Sequence, residues 1–301
     1  METKRKSWIW LGSRAALLLV GIIWGSSLVV VKSSAELIQP NLLIASRFSL
    51  ACIVLSIIFF KKFKKLDWDS LISGAIIGAC LFAAYWLQTL GVTLAMPGKS
   101  AFLSSIYCVL VPFVFWMIGG KRPAPHNLIA AFLCVTGILL SSVTSGFSIL
   151  PGDLLALSSG LFFAVHIAAV GKYGDGKDPV LITILQFGFC AAFAWIATFT
   201  LEGFHPQWHP GATGGVLYLA LACTALALLL QNVGQKYADP SSASILMSTE
   251  SIFGVIFSVV FMGEILTAKL VLGFVFIFAS VLISEVPFTI RTRKLRTDTP
   301  C

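Results

Sequence analysis

Leu230-Gln-Asn-Val-Gly-Gln-Lys-Tyr-Ala-Asp-Pro240, leading into the apolar run Ser241 to Met262, decides how this chain of 301 residues is read. Moving back 143 positions gives Leu87-Gln-Thr-Leu-Gly-Val-Thr-Leu-Ala-Met-Pro97, which matches at Leu230, Gln231, Gly234, Ala238 and Pro240. The register continues in Leu103/Leu246, Ser105/Ser248 and Gly120/Gly263. A spacing held this way marks an internal duplication.

Outward from that stretch, 57% of the residues are hydrophobic and only 11% are charged, where water-soluble domains carry about 25% charged residues. The composition is that of an all-α integral membrane protein. Apolar runs of about 20 residues, long enough to cross the hydrocarbon core as helices, fall at 14–34, 41–60, 70–93, 97–118, 126–145, 151–171, 179–201, 213–236, 240–262 and 267–288. The first run follows Lys4-Arg5-Lys6, but no small-residue cleavage site follows it, so it reads as a retained helix.

The net charge of +8 is a topology signal rather than a footprint for nucleic acid. With the N-terminus in the cytosol, seventeen of the 21 Lys and Arg fall at cytosolic ends, among them Lys61, Lys62, Lys64, Lys65, Lys236 and the basic tail 289–301. Only Lys99 and Lys269 fall at the other side, which places both termini inside and the chain in the cytoplasmic membrane. Six of the seven cysteines lie in apolar runs at no metal-ligand spacing and read as free, buried thiols. No metal or cofactor is expected. His205 and His209, with Pro206 between them, are a poor metal pair.

Five spans per copy is an odd number, so the second copy enters the membrane with opposite polarity. The expected architecture is ten transmembrane helices in two inverted five-helix repeats, 1–145 and 146–288. Inverted repeats of this kind underlie alternating access.

Trp24-Gly25-Ser26-Ser27 running to Lys32, Arg47-Phe48 in the second span, the Gly263-Glu264 turn and the duplicated five-span plan together resemble the drug/metabolite transporter superfamily, in its ten-helix EamA-type branch. The resemblance implies a membrane transporter of small polar metabolites, commonly amino acids or their derivatives, with a central cavity between the halves. Two departures stand out. Phe163-Ala164 replaces a frequent Trp-Ala and weakens the case for an aromatic wall, and Glu250-Ser251 replaces a common Glu-Pro, keeping the carboxylate but removing a proline kink.

Glu250 is the sharpest candidate residue. Ten residues, or roughly 15 Å at the helical rise, separate it from Pro240 and put it near the bilayer centre. An intramembrane charge must be paired, protonated or facing a wet cavity, so Glu250 suits a proton site or an anchor for a substrate amine; a helix-helix hydrogen bond is the structural alternative. His166, among Phe162, Phe163 and Val165, is the second candidate for proton coupling, or for pairing with Glu250. Arg47, about 10 Å below Pro40, suits a substrate carboxylate, or a structural pair with Glu36 or with helix-end carbonyls. Lys32, at the outer mouth, can snorkel to the headgroups. Trp24, Tyr85, Trp86 and Tyr107 sit at mid-span, away from the interfacial belts where such rings collect. Trp24, Tyr85 and Tyr107 are candidates for cavity lining, and the symmetry mates Gln88 and Gln231 for substrate contact or for bracing helix ends.

The leading expectation is a secondary transporter, an exporter by preference, of a small polar metabolite. No phosphate-binding loop offers a nucleotide engine, so the drive would come from a substrate gradient or a coupled proton. The alternatives are an intramembrane enzyme or lipid scramblase, and a passive assembly subunit. The expected partners are a small molecule and the lipid bilayer.

Overall fold

The computed structural model describes residues 2–142, 151–203, 209–263, 265 and 268–285. The expected boundary at 145/146, His205, Glu264 of the expected turn and the basic tail 289–301 lie outside them. Among the described residues there is no strand. The helices are α1 (Glu2–Ala35), α2 (Pro40–Ile58), α3 (Trp68–Leu94), α4 (Pro97–Met117), α5 (Pro125–Ser142), α6 (Pro151–Tyr173), α7 (Pro179–Glu202), α8 (Pro210–Gln235), α9 (Pro240–Met262) and α10 (Ala268–Glu285). Eight of these are long and apolar enough to cross a membrane, while α5 and α10 contribute shorter apolar stretches, Pro125–Gly137 and Val271–Ser280.

Proline starts α2, α4, α7, α8 and α9. Its fixed φ suits a first turn, and its missing N–H would be unpaired there anyway. Asp67, Asp178 and Asp239 then accept from backbone N–H groups of the first turns of α3, α7 and α9. At the other end of α9, Gly263 adopts φ +69°, the left-handed closure that glycine makes without Cβ strain.

The packing pattern maps onto itself when each helix is exchanged with the one five places on. The contact of α3 with α6 corresponds to that of α8 with α1, and α4 with α6 to α9 with α1. The pairs α2/α7, α4/α9 and α5/α10 correspond to themselves. Close glycine contacts repeat residue by residue. Gly91 meets Gly152 and Ala156 while Gly234 meets Ser13 and Leu17; Gly160 meets Ser104 and Ile106 while Gly21 meets Met247 and Thr249.

The same contacts give helix directions. Gly21 lies against Met247 to Glu250 and Gly25 against Phe253 and Gly254, so α1 and α9 run the same way. Gly91 lies against Ala156 and Leu94 against Gly152, so α3 and α6 run opposite ways. Lys32 Nζ reaches the carbonyls of Thr93 and Ala95, bringing the C-terminal ends of α1 and α3 together.

Both α4 and α9 are broken after eight residues, at Ser105–Ile106 and Ser248–Thr249. Their second segments begin at Tyr107 and Glu250, which are 143 positions apart. The sequence predicts continuous helices here, with α9 unkinked for want of a proline. Hydroxyls bond the backbone around both breaks. Ser104 and Ser105 donate back to the Ala101 carbonyl, and Ser248, Thr249 and Ser251 to those of Ile245, Leu246 and Ser248. Such back-bonding competes with the regular ladder. Two π-helical stretches, Thr198–Glu202 and Leu219–Leu226, also leave no trace in the apolar pattern.

Candidate functional site

Arg47 projects from α2 into the middle of the molecule and is only 1% exposed. Its Nε donates to Thr224 Oγ1 at 2.8 Å, not to Glu36. Thr224 in turn donates to the Leu219 carbonyl five residues back, a bond the π-helical stretch of α8 makes available. The guanidinium carbon lies 4.8 Å from the Tyr85 ring centre and 5.5 Å from that of Phe48, distances at which a cation is attracted to the ring face. Nη2 of Arg47 is buried and makes no hydrogen bond.

An aromatic line leads from that cation to the break in α9. Tyr85 stands edge-on to Phe163 at 5.3 Å, and Phe163 to Tyr107 at 6.2 Å. Phe163 therefore supplies a ring despite replacing the more frequent tryptophan. Beyond Tyr107 lies Glu250, which is 5% exposed and lies 3.4 Å from Ser105 Oγ of the other break, whose one hydroxyl proton it shares with the nearer Ala101 carbonyl. The Tyr107 hydroxyl neighbours the same carboxyl but makes no hydrogen bond of normal geometry. Glu250 opens the second segment of α9, where the helix dipole favours negative charge.

The remaining candidates have partners of their own. Trp24 closes one side, its Nε1 donating to the Cys223 carbonyl at 3.0 Å. Gln88 donates to Ser104 at 3.4 Å, just ahead of the α4 break. Gln231 donates to Gln235, which bonds the Ile167 carbonyl, while Oε1 of Gln231 is buried without a partner. His166 shares a 3.0 Å hydrogen bond with Gln186 of α7 rather than with Glu250. Lys32 points away from the central line. Its bonds of 2.9 and 3.2 Å to Thr93 and Ala95 cap α3, where a cation suits the helix dipole. His209 accepts from Gly211 N–H at the start of α8.

The geometry thus joins Arg47, Tyr85, Tyr107 and Glu250 and leaves His166 and Lys32 to other partners. Sequence reasoning missed Thr224 as the partner of Arg47. It missed Ser105 as the donor to Glu250, although Ser105 is one of the repeated positions. Gln186 went unnoticed, a polar residue inside an apolar run and the one signal that could have found it.

Comparison with known proteins places the chain. The profile of the EamA-like transporter family matches residues 12–143 and again 150–285. An uncharacterized transporter of Archaeoglobus fulgidus is 32% identical over 268 residues, covering 89% of this chain and 83% of the relative. The uncharacterized transporter YvbV of Bacillus subtilis is 24% identical over 278 residues, covering 89% and 90%. A crystal structure shares the fold with a TM-score of 0.71 at 19% identity, covering 91% of this chain and 96% of its own. The chain therefore belongs to the EamA-like transporter family.

Proposed function

We propose that this protein is a secondary transporter of a small zwitterionic metabolite, an amino acid or a derivative, working by alternating access of two inverted five-helix halves, 1–145 and 146–288. The observation that carries the substrate class is a buried guanidinium with an unbonded Nη2 and a buried carboxylate with one weak hydrogen bond, set apart by the rings of Tyr85, Phe163 and Tyr107. Leaving a buried charge without a full partner is costly, by several kcal/mol. A substrate whose carboxylate meets Arg47 offsets that penalty, one whose amine meets Glu250 replaces the proton the carboxyl otherwise carries, and only a substrate whose two charges are spaced across the rings does both.

Alternating access is supported by the exchangeable packing pattern, the opposed directions of α3 and α6, and the paired breaks in α4 and α9. Broken helices facing each other at mid-span are a recurrent way to build such sites. Glu250 serves as proton carrier whenever no substrate amine is bound, with His166 as an auxiliary. Both termini are cytosolic, in a cytoplasmic membrane, and export is the direction of use.

The test is counterflow in proteoliposomes holding the purified protein, across a panel of amino acids, their decarboxylated amines and their deaminated acids. Saturable exchange should favour compounds carrying both charges. Equal exchange of the singly charged analogues, or no exchange of any panel member, would remove this reading.

A further inference from the structure

A cavity of about 610 Å³ lies outside the central site, between α1, α8 and α9. Its floor is one stripe of α1. Leu11, Leu18 and Ile22 of that stripe are exposed on the outside of the bundle. One to three turns further on, Ser26, Val30 and Ser33 are overhung by Tyr218 of α8 and Phe261 of α9. The cavity is thus a continuation of the lipid-facing surface that sinks between two flaring helices, and Phe261 at its rim is 68% exposed.

Three observations specify the occupant. Among the described residues no charged side chain lines the groove. Its two most prominent polar groups satisfy each other: Ser26 Oγ donates to the Ile23 carbonyl at 2.7 Å and accepts from the Tyr218 hydroxyl at 2.6 Å. A ligand is therefore not required to supply hydrogen bonds. From Ile22 to Ser33 the floor runs about 16 Å along the helix axis, close to the ~15 Å that one leaflet contributes to the hydrocarbon core. The volume is within the range of about 300–1,000 Å³ typical of ligand pockets.

We propose that the groove is a phospholipid site. One acyl chain of a lipid in the leaflet opposite the Lys61 to Lys65 cluster lies along α1, entering beside Ser33 and ending against Ile22. The chain touches α1 on one side and α8 and α9 on the other, filling space that the helices leave open. The central polar line is walled off from it by the α8 backbone at Cys223, whose carbonyl is held by Trp24. The site is independent of what the protein transports.

The test uses the full chain in phosphatidylethanolamine/phosphatidylglycerol vesicles doped with a phosphatidylcholine carrying a diazirine in mid-chain. After irradiation, labelled residues are mapped by mass spectrometry. Adducts should be several-fold enriched over Ile22–Ser33 and Phe257–Met262 relative to Ile53 and Ile57, ordinary lipid-facing positions of α2. Val30→Trp, or Ser33→Phe should the first variant fail to fold, should abolish the enrichment and leave labelling at Ile57 unchanged. Uniform labelling in the wild type overturns the proposal, as does enrichment that survives in a folded filled variant. Labelling of the groove by a diazirine fatty acid but not by the diacyl lipid also overturns it.

Discussion

At the scale of single residues, Arg47 carries most of the interpretation, because its charge is held by one hydroxyl and two ring faces. Removing the charge should act in opposite directions on binding and on folding. Arg47→Gln is expected to raise the half-saturating substrate concentration about 100-fold or more in proteoliposome uptake, the equivalent of about 3 kcal/mol for a severed buried pair. The same variant should melt no lower than the wild type in detergent, since the uncompensated burial of the cation is relieved. A large fall in Tm would instead make Arg47 a structural tie. Glu250→Gln should keep the fold and abolish the pH dependence of exchange, read as uptake at two external pH values. Arg47 and Glu250 stand out in the sequence because charge is rare in apolar runs. Their immediate partners, Thr224 and Ser105, do not, since intramembrane serines and threonines mostly bond their own backbone, as Ser248 and Thr249 do here.

Among the helices, close approach governs stability. A Cβ on Gly25 would lie 2.4 Å from the Phe253 Cβ and 2.8 Å from the Gly254 nitrogen. Gly25→Ala should therefore destabilise by about 1–3 kcal/mol, the usual result of overpacking. Gly214, with nothing within 4 Å, is the control. Gly214→Ala should be neutral or stabilising by up to about 1 kcal/mol, both read by thermal unfolding in detergent. The connection into α7 supplies a pH dependence. Partial burial alone would raise the Asp178 pKa, but hydrogen bonds from Lys62 and the Val180 N–H outweigh it and hold the carboxyl below its ordinary value. Its stabilising contribution is thus complete above the unfolded pKa of about 3.9 and lost as pH falls through the lower folded value. Wild-type Tm should drop below about pH 4 more steeply than that of Asp178→Asn. Helix starts were legible from the prolines and aspartates, whereas the breaks in α4 and α9 were not. A broken helix and a continuous one share the same hydropathy.

For the whole molecule, the duplication was legible in eight repeated identities, and the family followed from it. What the sequence could not supply was the reciprocal packing of each half's first helix against the third and fourth helices of the other, because repeat identity does not say which copies touch. Opposite polarity of the halves is open to direct measurement. In a background without native cysteines, Met96→Cys, exposed between α3 and α4, and Lys236→Cys, exposed after α8, should react with a membrane-impermeant maleimide from opposite sides of sealed vesicles. Labelling from one side would dismantle the inverted arrangement.

The helix breaks of the two halves carry different chemistry, a phenol at Tyr107 where the mate is an acid at Glu250. A machine with identical breaks would rest equally in either posture. Under the alternating access proposed above, the two postures would differ by whether a carboxyl or a phenol faces a given compartment, and the balance between them would respond to acidity on one side only. Exchanging the pair, Tyr107→Glu with Glu250→Tyr, should hand that sensitivity to the opposite compartment.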